Sequence, residues 1–202
     1  MSYDEQRSLS PIHGAYGKNA SGKTGKRRAA AKEQEEFSRL SPEVQKIIEA
    51  GDFVTMDYGA KFEGYCSDIT RTVCVGEATA RQREVYGAVL GTQKLVLSLI
   101  GPHKSCLAID TASREYLARY DLAKYFGHGL GHSLGLEIHE SPRLSRSCAP
   151  EDVLVPGNLI TDEPGVYLPG WGGLRIEDTV LVTETGCERL TKPDKSLLEL
   201  GC

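Results

Sequence analysis

Two aspartates, two glutamates and a group of histidines are the residues of this 202-residue chain whose types and spacing could do metal or acid–base chemistry. Asp57 and Asp68 sit in Gly51–Thr72, GDFVTMDYGAKFEGYCSDITRT, which reads as one β-hairpin. If the strands turn about Phe62 and Glu63, with Gly64 easing the turn, Ala60 faces Tyr65 and Asp57 faces Asp68 across the ladder. Carboxylates opposed on one sheet face have Cβ atoms about 5 Å apart and repel. A shared proton would relieve that. A divalent cation would relieve it more completely, because it takes hard oxygen donors. The bland alternative is a pair of turn or cap aspartates facing water, so further ligands downstream must decide.

Such ligands follow. Tyr125–Pro142, YFGHGLGHSLGLEIHESP, holds three of the five histidines: His128, His132 and His139. His128 and His132 have helical i, i+4 spacing, but glycines at 127, 129, 131 and 135 argue against a helix. Glycines alternating beside histidine imply a close approach of backbone to something, such as a ligand, with at least one imidazole in a site. Val153–Val166, VLVPGNLITDEPGV, reads as a turn, a strand Asn158–Asp162 and then Glu163. In LRIEDTVLVT, alternation puts Arg175 and Glu177 on one face and Leu174 and Ile176 on the other. Glu177 then pairs across a second hairpin with Glu163. Two hairpins with two carboxylates each, plus a glycine-flanked histidine, supply five oxygen and nitrogen ligands. That set suits a pair of Mn, Co, Fe or Zn ions better than one closed zinc site.

The elements that must position these groups are legible in outline. From Ala80 to Ile100, Val85, Ala88, Val89, Thr92, Leu95, Val96 and Leu99 recur at helical spacing, and Gly101–Pro102 ends the helix. A second helix covers Cys106–Leu122, and both would cover a sheet face. A hydrophobic share of 40%, a charged share of 26% and a net charge of -4 describe a soluble globular chain and argue against nucleic acid as the main partner. No membrane span or signal peptide is read, which makes a cytoplasmic location the default. The six cysteines lack a C-x-x-C pair and read as reduced thiols. Residues 1–46 are polar and basic, expected to be partly disordered around a short helix. Within them Gly17–Thr24, GKNASGKT, matches a phosphate-loop pattern, but the buried strand that should precede it is missing.

From about Ile47 to Leu200 the chain resembles the pita-bread metallopeptidases, the group of methionine aminopeptidases, prolidases and Xaa-Pro aminopeptidases. MDYGA with SDITRT, GHSLGLEIHESP, ITDEPGVY and GLRIEDTVLVT carry the resemblance, in the family's order. It implies an α+β pita-bread fold, an antiparallel sheet covered by helices, with residues 47–202 as the catalytic portion. It also implies that Asp57, Asp68, His132, Glu163 and Glu177 bind two divalent metal ions, Mn foremost, with Asp68 and Glu177 bridging. GLEIHESPRLS looks closest to the Xaa-Pro aminopeptidase and dipeptidase branch, which implies hydrolysis of peptides with proline at the second position. His128 and His139 would line that site, His139 against the scissile carbonyl or the developing oxyanion, while Glu163 passes a proton and Arg175 steadies the bridging carboxylates or the substrate.

The resemblance has a gap. The family's catalytic domain carries roughly eighty residues before the first ligand strand, against 56 here, so its N-terminal half reads as incomplete. The alternative to an active Xaa-Pro aminopeptidase is therefore an inactive binding module or fragment of the same fold. Less favoured are methionine aminopeptidase activity and nucleotide binding at Gly17–Thr24. A second copy of the chain is an admissible partner that could supply the missing half.

Overall fold

Twelve short strands and two long helices make up the described part of the chain, residues 47–201 of the computed structural model. Glu49–Cys202 forms one unit by itself. The phosphate-loop pattern, the short N-terminal helix and most of the Ser41–Ala50 connector lie outside the described residues.

Strands β1 (Phe53–Tyr58) and β4 (Ile69–Val75) pair antiparallel, and β2 (Lys61–Phe62) with β3 (Tyr65–Cys66) extends the same ribbon to its tip. Glu63 and Gly64 alone make the turn, with φ of 49° and 92°, the two positive values that a two-residue hairpin turn with the right twist requires. This corrects the expected register. Asp57 faces Thr70, not Asp68, because the turn sits one residue later than a turn about Phe62 and Glu63. Continuing that register, Asp68 is diagonal to Asp57 on the same face, so the two carboxylates stay neighbours at a more relaxed spacing.

Helix α1 (Ala80–Leu99) starts at a reciprocal cap: the Thr79 hydroxyl accepts from the Gln82 amide, and the Gln82 side chain accepts from the Thr79 amide. It buries Val85, Ala88, Val89, Thr92 and Val96 as its periodicity predicts, and also Tyr86 and Gln93, which the periodicity did not single out. Helix α2 (Cys106–Ala118) stops short of Leu122, and a 3-10 turn follows at Ala123–Tyr125. Both helices share one apolar core with the central sheet, whose contributors include Leu130, Leu144, Ile160, Val180 and Val182.

That sheet runs β11-β10-β7-β5-β6, from β5 (Gly131–Ser133), β6 (Glu140–Leu144), β7 (Leu159–Asp162), β10 (Asp178–Val182) and β11 (Cys187–Arg189). Strands β8 (Gly165–Leu168) and β9 (Gly172–Arg175) prolong the β7/β10 ribbon. Ladders in the five-stranded sheet are antiparallel throughout. The exception to the expected antiparallel order is β12 (Leu198–Leu200), which lies parallel to β4. The close approach that the glycine before His132 implies is to a neighbouring strand. A Cβ on Gly131 would lie 2.0 Å from the Thr161 carbonyl oxygen, so this glycine lets β5 close on β7. Among the described residues no helix is long and apolar enough to cross a membrane, and the five cysteines there are free thiols.

Candidate metal centre

The helix-free face of the central sheet is where the acidic residues meet. Asp162 pairs with Asp178 on one side and Gly165 with Arg175 on the other, which leaves Glu163 opposite Glu177 as the sequence predicts. Glu177 reaches across to β4, where the Thr70 hydroxyl donates to its Oε2 at 2.5 Å and its own amide donates to the Thr70 carbonyl. Thr179 anchors the start of β4 by donating to the Asp68 carbonyl at 2.7 Å. His132 is set by Thr161, whose hydroxyl accepts from the His132 amide at 2.9 Å and donates to Glu163 Oε1 at 3.1 Å.

One donor atom from each of Asp68, His132 and Glu177 lies within 4.8 Å of the other two. His132 Nε2 is also 3.4 Å from Glu163 Oε1 and 3.8 Å from Asp68 Oδ2. Its Nδ1 faces the Ser133 carbonyl at 3.1 Å, and a carbonyl only accepts, so the proton is on Nδ1 and the Nε2 lone pair points at the carboxylates. Burial, with the charges of His139, Arg143 and Arg175, pushes the imidazole down to about 4. It is neutral at pH 7. A cation between that lone pair and the carboxylates would satisfy both, and the donor set of two or three carboxylates and one imidazole is that of Mn, Fe, Co or Zn.

The carboxylates show the same tension. Burial and then Asp57 raise Asp68 to about 6. Burial raises Glu163 to about 8, with Asp68 adding to the shift. Glu177 is raised well above its ordinary value by burial, then by Glu163 and Asp68. Mutual repulsion in a buried place is the state a metal relieves, so the residues fit the ions that the family resemblance implies.

Asp57 is near this group but turned to a different partner, the Arg175 guanidinium. Arg175 also donates to Thr70 at 3.2 Å and to the Tyr167 hydroxyl at 2.8 Å, and lies 3.7 Å from Glu163. Tyr167 in turn meets His128 Nε2 at 3.3 Å. His128 thus stands behind Tyr167 and Arg175, while His139 stacks edge-on against His132 with centroids 4.4 Å apart. Sequence reasoning missed Thr70, Thr161, Tyr167 and Arg143. Thr70 and Thr161 had a signal, since each alternates onto the face of a ligand.

A helix-backed pita-bread sheet with a buried cluster of acids and one histidine defines the class, the pita-bread metallopeptidases. The profile of metallopeptidase family M24 matches residues 11–184, beginning upstream of the motifs, and the chain belongs to that family. It is 49% identical over 153 residues to a Xaa-Pro dipeptidase of Pyrococcus furiosus, covering 76% of this chain and 43% of the relative. An uncharacterized peptidase of Bacillus subtilis, YqhT, is 46% identical, with 77% and 43% covered. Among solved structures, the prolidase from Pyrococcus horikoshii OT3 superposes with a TM-score of 0.73 at 45% identity, over 76% of this chain and 44% of that one. The X-Pro aminopeptidase from Thermotoga maritima gives 0.74 at 38% identity, over 77% and 42%. The chain thus spans less than half the length of the relatives it matches.

Proposed function

We propose that this chain is a metal-dependent exopeptidase that hydrolyses the bond between an N-terminal residue and a following proline, using two divalent ions, Mn foremost. The observation that carries the reading is the neutral His132 Nε2 lone pair turned on Asp68 and Glu163 beside Glu177. The names of the relatives, Xaa-Pro dipeptidase and prolidase, support the substrate class. Asp68, His132, Glu163 and Glu177, with Asp57 at the edge, would hold the ions. Bound there, divalent ions supply an activated water near neutral pH and polarise a carbonyl.

This chain's own residues do the rest. Glu163, held by the Thr161 hydroxyl, takes a proton from the attacking water and delivers it to the prolyl nitrogen. His139, whose ring meets that of His132, would donate to the scissile carbonyl oxygen. Arg175 holds Asp57 to the cluster. Arg143 is exposed, lies opposite His132 in the β5/β6 register, and is near enough for its charge to bear on that imidazole. A guanidinium there suits the free carboxylate of a dipeptide, which favours dipeptides over longer peptides.

Release of proline from an Xaa-Pro dipeptide by the Mn-loaded chain tests the reading. Arg143→Met should raise KM for the dipeptide and leave a C-terminally amidated substrate unaffected. Metal binding with no release of proline would replace the enzyme by a binding module.

A further inference from the structure

Residues 126–130, the approach to β5, belong to no strand and bend at His128 and Leu130. Without a ladder of their own, three of their backbone groups are met instead by two side chains of α2. Arg114 Nη1 donates to the Phe126 carbonyl at 2.8 Å and Nη2 to the His128 carbonyl at 2.6 Å. Asp110 Oδ1 accepts from the Leu130 amide at 3.2 Å. Positions 126, 128 and 130 are thus each tied to α2 by a side-chain hydrogen bond.

The two side chains are themselves locked. Arg114 Nε donates to Asp110 Oδ2 at 2.7 Å and Nη2 to Oδ1 at 3.1 Å, one helical turn apart, and Asp110 is wholly buried. The guanidinium lies over the Phe126 ring, 4.3 Å from its centroid, and that ring meets His128 edge-on at 5.0 Å. On the far side Leu130 passes the constraint on, its carbonyl accepting from the Glu163 amide at 2.9 Å. The imidazole between these anchors has one tautomer available. Nδ1 faces the Gly129 carbonyl at 2.7 Å and so carries the proton, and Nε2 accepts from Tyr167, whose oxygen accepts from Arg175.

We infer that Asp110 and Arg114 are positioning residues: together they act as a clamp that fixes the 126–130 backbone and so holds His128 behind Tyr167, Arg175 and Asp57. A guanidinium is needed because its planar fork serves the carboxylate and two carbonyls at once, which an ammonium on a single stem does not do. The kinetic consequence rests on the peptidase reading above; the structural one does not.

The test uses the full chain as wild type, Arg114→Lys, and the paired change Asp110→Leu with Arg114→Met, which leaves no unpaired buried charge and so keeps the fold. In the metal-free protein, 15N signals of the histidine side chains, assigned with His128→Gln, report the tautomer. The wild type should show His128 as a single neutral Nδ1–H form, and both variants should show tautomer exchange there with the His132 signals unmoved. With Mn and an Xaa-Pro dipeptide, kcat should fall by up to about 10²-fold at constant KM, the loss expected when a reacting group is misplaced by about 1 Å. An unchanged His128 signal in the paired variant, or full rescue by Arg114→Lys, would overturn the inference. Were the wild type to release no proline, the peptidase reading would fall, and the tautomer signals would still decide for or against the clamp.

Discussion

Glu177 and Asp178 are consecutive residues, both buried, and their surroundings are opposites. Asp178 turns to the helix side and is met by Arg71 at 2.8 Å, Lys195 at 2.7 Å, Gln93 at 2.9 Å and Thr191 at 2.7 Å. Burial alone would raise this carboxyl, but the Lys195, Arg71 and Thr191 hydrogen bonds hold it below its ordinary value. Glu177 turns to the other face, beside a neutral histidine, where burial and then the carboxylates of Glu163 and Asp68 leave it raised. A carboxylate whose counter-charges are built into the fold is structural. A cluster of carboxylates and an imidazole whose counter-charge must come from outside marks where an ion binds.

The comparison breaks most visibly at Asp178. Asp178→Ala should cost about 3 to 5 kcal/mol in urea unfolding, since Arg71 and Lys195 would be left buried without their partner. Its neighbour across the ladder, Asp162, is the opposite case: fully buried, with neither oxygen hydrogen-bonded among the described residues. Asp162→Val should therefore stabilise the chain, by about 1 to 3 kcal/mol.

A smaller effect sharpens the contrast through pH. Glu163 is raised in the folded metal-free chain to about 8, so between that value and neutrality the folded state holds a proton that the unfolded state has lost. Stability of the metal-free chain must then rise as pH falls from about 8 to about 6.5, by about 1 to 2 kcal/mol per proton held. Below about 6.5 the trend should flatten, because His128 and His132, both lowered to about 4 by burial, take up protons in the unfolded state first. Thermal melts across this range check the sign, and saturating Mn should reverse the upper limb.

The same contrast explains what the sequence made legible. Glu163 opposite Glu177 follows from alternation and a glycine-bearing loop, both local. The first hairpin was read two residues out of register because Glu63 takes a left-handed conformation that its residue type does not advertise. The Asp178 hub draws on β4, α1 and the chain after β11, separations of 107, 85 and 17 residues. No periodicity within one element announces such a meeting; the one local sign was Gln93, a polar residue on the buried stripe of α1. Tyr167, which links His128 to Arg175, was hidden for the same reason.

Calorimetric titration of Mn into the metal-free chain, wild type against Asp68→Ala, tests the central claim most directly. The wild type should take up two ions with release of protons from the raised carboxyls, and Asp68→Ala should lose that uptake while staying folded. Uptake in Asp68→Ala equal to that of the wild type would contradict the account.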